Sequence, residues 1–205
     1  MNVLLLHGQG RTTNAMRLLG FRLHRLGYHV CYFRYYTRIE KFSGIVERLT
    51  DTIKKLPNDR PYALVGHSMG GLLARACLPS LKDHPPFHLI LLASPNRPPQ
   101  LAPYIKHNRI YKYLTNDCGQ QALNAEFYNT LPKPFVPTTI IAGSGGPRLR
   151  WLPYGDQPND GVMSVQDTRL GPEYGVIQVP SIHTFIMNSR QTLSHIDRIL
   201  RQTGI

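Results

Sequence analysis

Ser68 stands in the stretch Gly66-His67-Ser68-Met69-Gly70-Gly71, with the apolar run Tyr62–Val65 before it and the helical pattern Met69–Leu81 after it. A G-x-S-x-G turn between strand and helix holds its serine on a strained corner, and the flanking glycines let the two elements approach closely. The corner also sets the hydroxyl at a helix N-terminus, where backbone N–H groups and the dipole favour developing negative charge. A serine hydroxyl is a weak nucleophile at neutral pH and needs a general base. Of nine histidines, His183 fits, between the strand-like Val176–Val179 and the terminal helical pattern Ser189–Arg201. His67 sits inside the turn with its ring expected to point away from the serine, and His195 reads as a helix-surface residue. An acid to orient the base must come from a loop after a late strand, where Asp156, Asp160 and Asp167 compete. Asp160 is best placed, because Gly161 permits a tight turn past the run Pro137–Ala142.

A tetrahedral intermediate needs two donors for its oxyanion. One is the backbone N–H of Met69, the residue after the nucleophile. The other is expected from the glycine loop His7-Gly8-Gln9-Gly10, with the N–H of Gln9 preferred. That loop is a poor dinucleotide site, since it supplies two glycines and no ribose-binding acid at the right distance.

These residues require a scaffold of alternating elements. Strands are expected at Val3–Leu6, Tyr28–Phe33, Tyr62–Val65, His88–Leu92, Pro137–Ala142 and Val176–Val179. Amphipathic helices are expected at Ala15–Leu26, Ile39–Leu56, Met69–Leu81 and Ser189–Arg201, each with apolar residues at a 3.6-residue period. Such alternation implies parallel strands joined by right-handed crossovers, with helices on both faces, an α/β class. Residues 95–134, rich in proline, read as an irregular, cap-like segment of one domain spanning 1–205. Within it, Tyr104, Ile105, Tyr111, Tyr113, Phe127 and Tyr128 are candidates for a substrate pocket; Trp151, in the loop before Asp160, is a candidate for the pocket mouth. A cover this small leaves a pocket open to small or surface-presented substrates.

Composition narrows the classes. With 41% hydrophobic and 18% charged residues, the chain of 205 is too apolar for disorder. No apolar run approaches the ~18–20 residues that cross a bilayer. Twenty-four basic against 12 acidic residues give a net charge of +12, which raises nucleic acid, an anionic membrane surface or an acidic substrate as partners. The cations are spread through helix-like stretches (Arg17, Arg22, Arg25, Arg34, Arg38, Lys41) and no nucleic-acid motif is present. Nucleic acid is therefore set aside, and peripheral contact with an anionic membrane stays an expectation. Cys31, Cys77 and Cys118 form no CxxC pair, and the opening residues carry no basic n-region, so a reducing cytoplasm is expected. Oligomeric state leaves no trace in the sequence.

HGQG, GHSMGG, the strand end Leu92-Ala93-Ser94-Pro95, NDGVMSV and the histidine of SIHTFIM occur in that order. With them the chain resembles the compact bacterial lipase/esterase branch of the α/β-hydrolases, which lacks a large cap domain. The resemblance implies a six-stranded, mostly parallel sheet of order 2-1-3-4-5-6, with Ser68, Asp160 and His183 as a triad. It further implies an acyl-enzyme mechanism on carboxylic esters, an oxyanion hole at Gln9 and Met69, and no cofactor or metal. The same triad would serve an acyltransferase, thioesterase or amidase, and a non-catalytic binding protein on this fold is the third alternative.

Overall fold

Alternation of apolar side chains along the strands builds two cores, one on each side of a single sheet. The computed structural model describes residues 1–57 and 59–202. The strands are β1 (Asn2–Leu6), β2 (His29–Tyr32), β3 (Tyr62–His67), β4 (His88–Leu92), β5 (Thr138–Gly143) and β6 (Val176–Val179). All adjacent pairs are parallel, in the order β2-β1-β3-β4-β5-β6. The expected six-stranded topology is the observed one.

Leu4, Leu6, Leu64, Leu89, Leu91 and Ile140 face one side, against α2 (Phe42–Lys54) and α3 (Met69–Cys77). Their chain neighbours Val3, Leu5, Val65, Ile90, Leu92 and Ile141 face the other. There they meet Leu19 and Leu23 of α1 (Arg17–Arg25) and Ile196 and Leu200 of the C-terminal helix Arg190–Gln202. Each fully buried Leu or Ile contributes roughly 1.5–3 kcal/mol. β1, β3 and β4 are buried along their whole length, as central strands covered by helices on both faces must be.

Three helices are shorter than their periodicity suggests, α2 by three residues at its start and two at its end. The expected helix from Ala15 opens as a tighter turn, Thr13–Met16, before α1, which stops ahead of Gly27 at φ 93°. α3 ends at Cys77 and continues as a tight turn, Leu78–Leu81, because Pro79 has no N–H to extend the helical ladder.

The irregular segment after β4 contains α4 (Ala102–Ile105), α5 (Arg109–Gln121) and α6 (Ala125–Thr130), with the C-terminal helix becoming α7 (Arg190–Gln202). The buried guanidinium of Arg75 on α3 ties both ends of this segment down. It donates to Asn96 Oδ1 and to the Pro132 carbonyl, each at 2.9 Å, and burial pulls its pKa down to about 10. No helix among the described residues is long and apolar enough to cross a membrane. Because all strands run the same way, the loops leaving their C-terminal ends gather on one edge.

Candidate active site

Ser68 joins β3 to α3 with φ 52° and ψ −119°, a left-handed conformation that costs a non-glycine residue of order 1–3 kcal/mol. The corner is over-determined by its neighbours. Ser68 N–H donates to the Leu92 carbonyl at 2.9 Å, and the Ser68 carbonyl accepts from Gly71 N–H and Ser94 Oγ, both at 2.9 Å. A Cβ on Gly66 would lie 2.6 Å from the Gly70 backbone, and one on Gly70 would lie 2.6 Å from the Leu6 carbonyl oxygen. The glycines are thus required by close approach of strand and helix.

The loop after β5 carries Asp160, which is 2% exposed. Its Oδ1 accepts the backbone N–H groups of Val162 and Met163 at 2.9 Å each. Its Oδ2 lies 2.7 Å from His183 Nδ1, and His183 N–H donates to the Asp160 carbonyl at 2.8 Å. Two strand-end loops are therefore pinned together through backbone and side chain. A carboxylate can only accept, so Nδ1 carries the proton and Nε2 presents a lone pair. Ser68 and His183 line one cavity of about 460 Å³. Among the described residues no hydrogen bond joins the Ser68 hydroxyl to His183; in unliganded sites such contacts are often long and tighten with substrate.

The other acids occupy different roles. Asp156 is exposed, with Arg150 at 3.9 Å. Asp167 is buried in a reciprocal cap with Ser164, and burial raises its pKa.

The glycine loop after β1 is clamped from distant parts of the chain. Tyr35 stacks on His7 with centroids 3.9 Å apart and donates its hydroxyl to the His7 carbonyl. Gly10 N–H donates to Thr37 Oγ1 at 2.9 Å, and the Gln9 side-chain amide donates to the Thr115 carbonyl at 2.9 Å. That carbonyl lies at a break in α5, where Asn116 has φ 48° and ψ −150°. With its side chain so engaged, Gln9 keeps its backbone N–H without a partner among the described residues, as does Met69 at the start of α3. A Cβ on Gly8 would fall 3.2 Å from Ser68 Cβ, so the loop passes directly over the serine.

His67 departs from its expected orientation. Its ring lines the cavity, with its centroid 4.8 Å from that of His183. Its Nε2 donates to the His183 carbonyl at 3.1 Å, while Nδ1 is buried without a partner. Burial first, and then His183 alongside, hold its pKa well below the ordinary imidazole value.

Of the proposed pocket aromatics, Tyr111 lines the cavity, together with Ile105. Tyr104 is 72% exposed and Trp151 78% exposed, and neither reaches it. Tyr113 is likewise turned to solvent. Phe127 packs edge-on against Phe42 in the core at 5.0 Å, and Tyr128 is buried beside it with its hydroxyl on the Ala122 carbonyl. The helical phase explains the division: Tyr111 shares an inward face with Thr115 four residues on, and Tyr113 falls opposite. The apolar wall is instead made by Leu72, Pro95, Pro99, Leu101, Leu123 and Met163. None of these carries a signal in the sequence that separates it from ordinary packing.

A family model described as "Alpha/beta hydrolase family" matches residues 3–202. A GPI inositol-deacylase from Chaetomium globosum is 30% identical over 100 residues, which is 48% of this chain and 9% of that protein's length. Among solved structures, Bacillus licheniformis lipase BlEst2 superposes with TM-score 0.76 at 17% identity, covering 97% of this chain and 91% of its own. Phospholipase PlaB from Legionella pneumophila gives 0.73 at 16% identity, covering 98% of this chain and 59% of its own. RedJ-Thioesterase from Streptomyces coelicolor gives 0.62 at 19% identity, covering 96% and 84%. At these identities the superpositions speak for the fold.

Proposed function

We propose, from the premise that this chain belongs to the alpha/beta hydrolase family, that it is a serine hydrolase of carboxylic esters. Ser68 attacks the ester carbonyl while His183 Nε2 takes its proton. Asp160 holds the imidazole in the required tautomer and stabilises the imidazolium. The N–H groups of Gln9 and Met69 receive the oxyanion, the alcohol leaves with the proton returned from His183, and water repeats the sequence to free the acid. The observation that carries the reading is the 2.7 Å pairing of Asp160 with His183 beside a cavity that Ser68 also lines. The apolar wall suits the acyl part of the ester. The lipase, phospholipase and deacylase names of the similar proteins support a lipid ester.

A fluorophosphonate probe should label the protein at Ser68 and fail on Ser68→Ala; equal labelling of both ends the assignment. Thioester and amide substrates offered in parallel with p-nitrophenyl esters sort the leaving group.

His67 is expected to act as a positioning residue. His67→Phe keeps ring volume but removes the donor to the His183 carbonyl, a hydrogen bond worth ~1 kcal/mol. The expected result is a fall in kcat of roughly 5- to 10-fold with KM nearly unchanged, partly restored in His67→Asn. A change confined to KM would contradict it.

A further inference from the structure

The surface beside the cavity is formed by a segment with little of its own buried. From Pro103 to Leu114 every residue is exposed except Ile105 and Tyr111, the two that reach the cavity. The segment is thus a thin strap with one side on the site and everything else in water. Its outer side carries Tyr104, Ile110, Tyr113 and Leu114, exposed by 44–81%. Single exposed apolar residues are ordinary, but Ile110, Tyr113 and Leu114 share one face of α5 by their spacing, and such a grouping fits an interaction surface.

Among these residues stand Lys106, Arg109 and Lys112, all exposed. No Asp or Glu occurs anywhere from His84 to Asn116. On the same sheet edge, the loop after β5 brings Val162 and Met163 to the cavity. It also holds Leu149 and Trp151 exposed, alternating with the exposed Arg148 and Arg150. Of the acids near this edge, Asp117 caps α2 through Phe42 N–H at 2.7 Å, Glu40 meets Arg48 at 3.1 Å, and Asp156 is exposed with Arg150 at 3.9 Å, so the basic residues of the strap itself stay uncompensated among the described residues. Long cationic stems can lie along apolar surface with their charges outward. Apolar and aromatic side chains interleaved with Lys and Arg form a surface that inserts shallowly at the headgroup level of an anionic bilayer.

We propose that the strap and the Arg148–Trp151 loop dock on the surface of an anionic phospholipid bilayer and hold the cavity mouth against it. Charge complementarity selects this partner over a neutral surface or a second copy of the same basic chain. The docking stands on the surface alone, while its use in delivering an ester from the membrane rests on the hydrolase reading above.

Ser68→Ala protein, which consumes no lipid, serves for the test with vesicles of phosphatidylglycerol and phosphatidylcholine and with vesicles of phosphatidylcholine alone. The expected result is co-sedimentation with the anionic vesicles only, lost as salt rises from about 0.05 to about 0.5 M. Trp151, the one tryptophan of the chain, should shift its emission to the blue on binding. Replacing Lys106, Arg109 and Lys112 with Gln should weaken binding about 100-fold, and Tyr113→Asp should abolish the emission shift. Hydrolysis of a soluble p-nitrophenyl ester by these variants on the Ser68 background should be unchanged, which certifies their fold. Equal binding to neutral vesicles, binding indifferent to salt, or no binding would overturn the proposal. So would lipid-free self-association removed by the same substitutions, which would assign the face to a second copy. Vesicle binding as expected, with no ester hydrolysis by the protein that retains Ser68, would instead sink the hydrolase reading alone.

Discussion

His183→Ala is expected to lower kcat for ester hydrolysis roughly a millionfold, and Asp160→Asn about 10⁴-fold, values typical of serine hydrolases built on such triads. The two losses have different origins. Removing the imidazole removes the group that accepts the Ser68 proton. Asp160→Asn keeps the acceptor oxygen that Val162 and Met163 N–H groups engage at 2.9 Å, so the loop retains its shape. It turns an amide N–H toward His183 Nδ1, now 2.7 Å from a carboxylate oxygen. The ring must then accept at Nδ1 and carry its hydrogen on Nε2, where it cannot act as a base toward the serine. KM should change little, because neither substitution touches the apolar wall. Since both act through one proton transfer, the double variant should be no slower than His183→Ala alone. Additive losses would show that the two residues serve separate steps, and the triad assignment would fall.

The elements of this fold were legible because each rests on a local periodicity. Val3–Leu6 and His88–Leu92 are continuous apolar runs because both faces of a central parallel strand are covered, and α2 shows its buried Ile45, Leu49 and Ile53 at intervals of four. The corner at Ser68 and the turn at Asp160-Gly161 were legible because their glycines answer a geometric need, close approach at one and φ 92° at the other. The pocket wall was not. Its shape depends on the helical phase of a short strap in which nearly every residue is exposed, so no apolar stripe marks Tyr111 and Ile105 off from Tyr104 and Tyr113. The clamps on the glycine loop, Tyr35, Thr37 and Thr115, lie 27 to 106 residues from their partners. Nothing local distinguishes them. His67 was misjudged for a related reason: its ring direction depends on the loop after β6, which meets the elbow only in three dimensions.

Stability should fall steeply as pH drops below about 6.5, the ordinary pKa of an unfolded histidine. His7 and His67 are buried, and burial depresses both values, His67 well below the ordinary range. A depressed folded-state pKa means that the unfolded chain binds the proton first. Stability is therefore fully present above pH 6.5 and is lost as pH falls toward the folded-state values. Each group protonated only in the unfolded chain adds up to about 1.4 kcal/mol per pH unit to the slope, and His67, the more strongly lowered of the two, contributes over the wider window. The same direction holds for His88, also lowered by burial. Asp167, raised by burial, has the opposite sign, since the native state binds its proton first, and this slows the loss as pH approaches the carboxylate range. The cause of the depression is visible in the hydrogen bonds. His7 Nε2 and His67 Nδ1 are buried with no acceptor, so a second proton on either ring would be an unpaired charge in a low-dielectric site. The urea midpoint, followed from pH 8 to pH 5.5, should decline below pH 6.5 with unchanged m-value. In His67→Phe the decline should become shallower, because the most strongly lowered contributor is gone. A midpoint that stays level across the window, or an identical slope in the variant, would mean that these imidazoles reach solvent freely. The loop over Ser68, which His7 anchors and His67 abuts, would then not be the fixed donor platform that oxyanion binding requires.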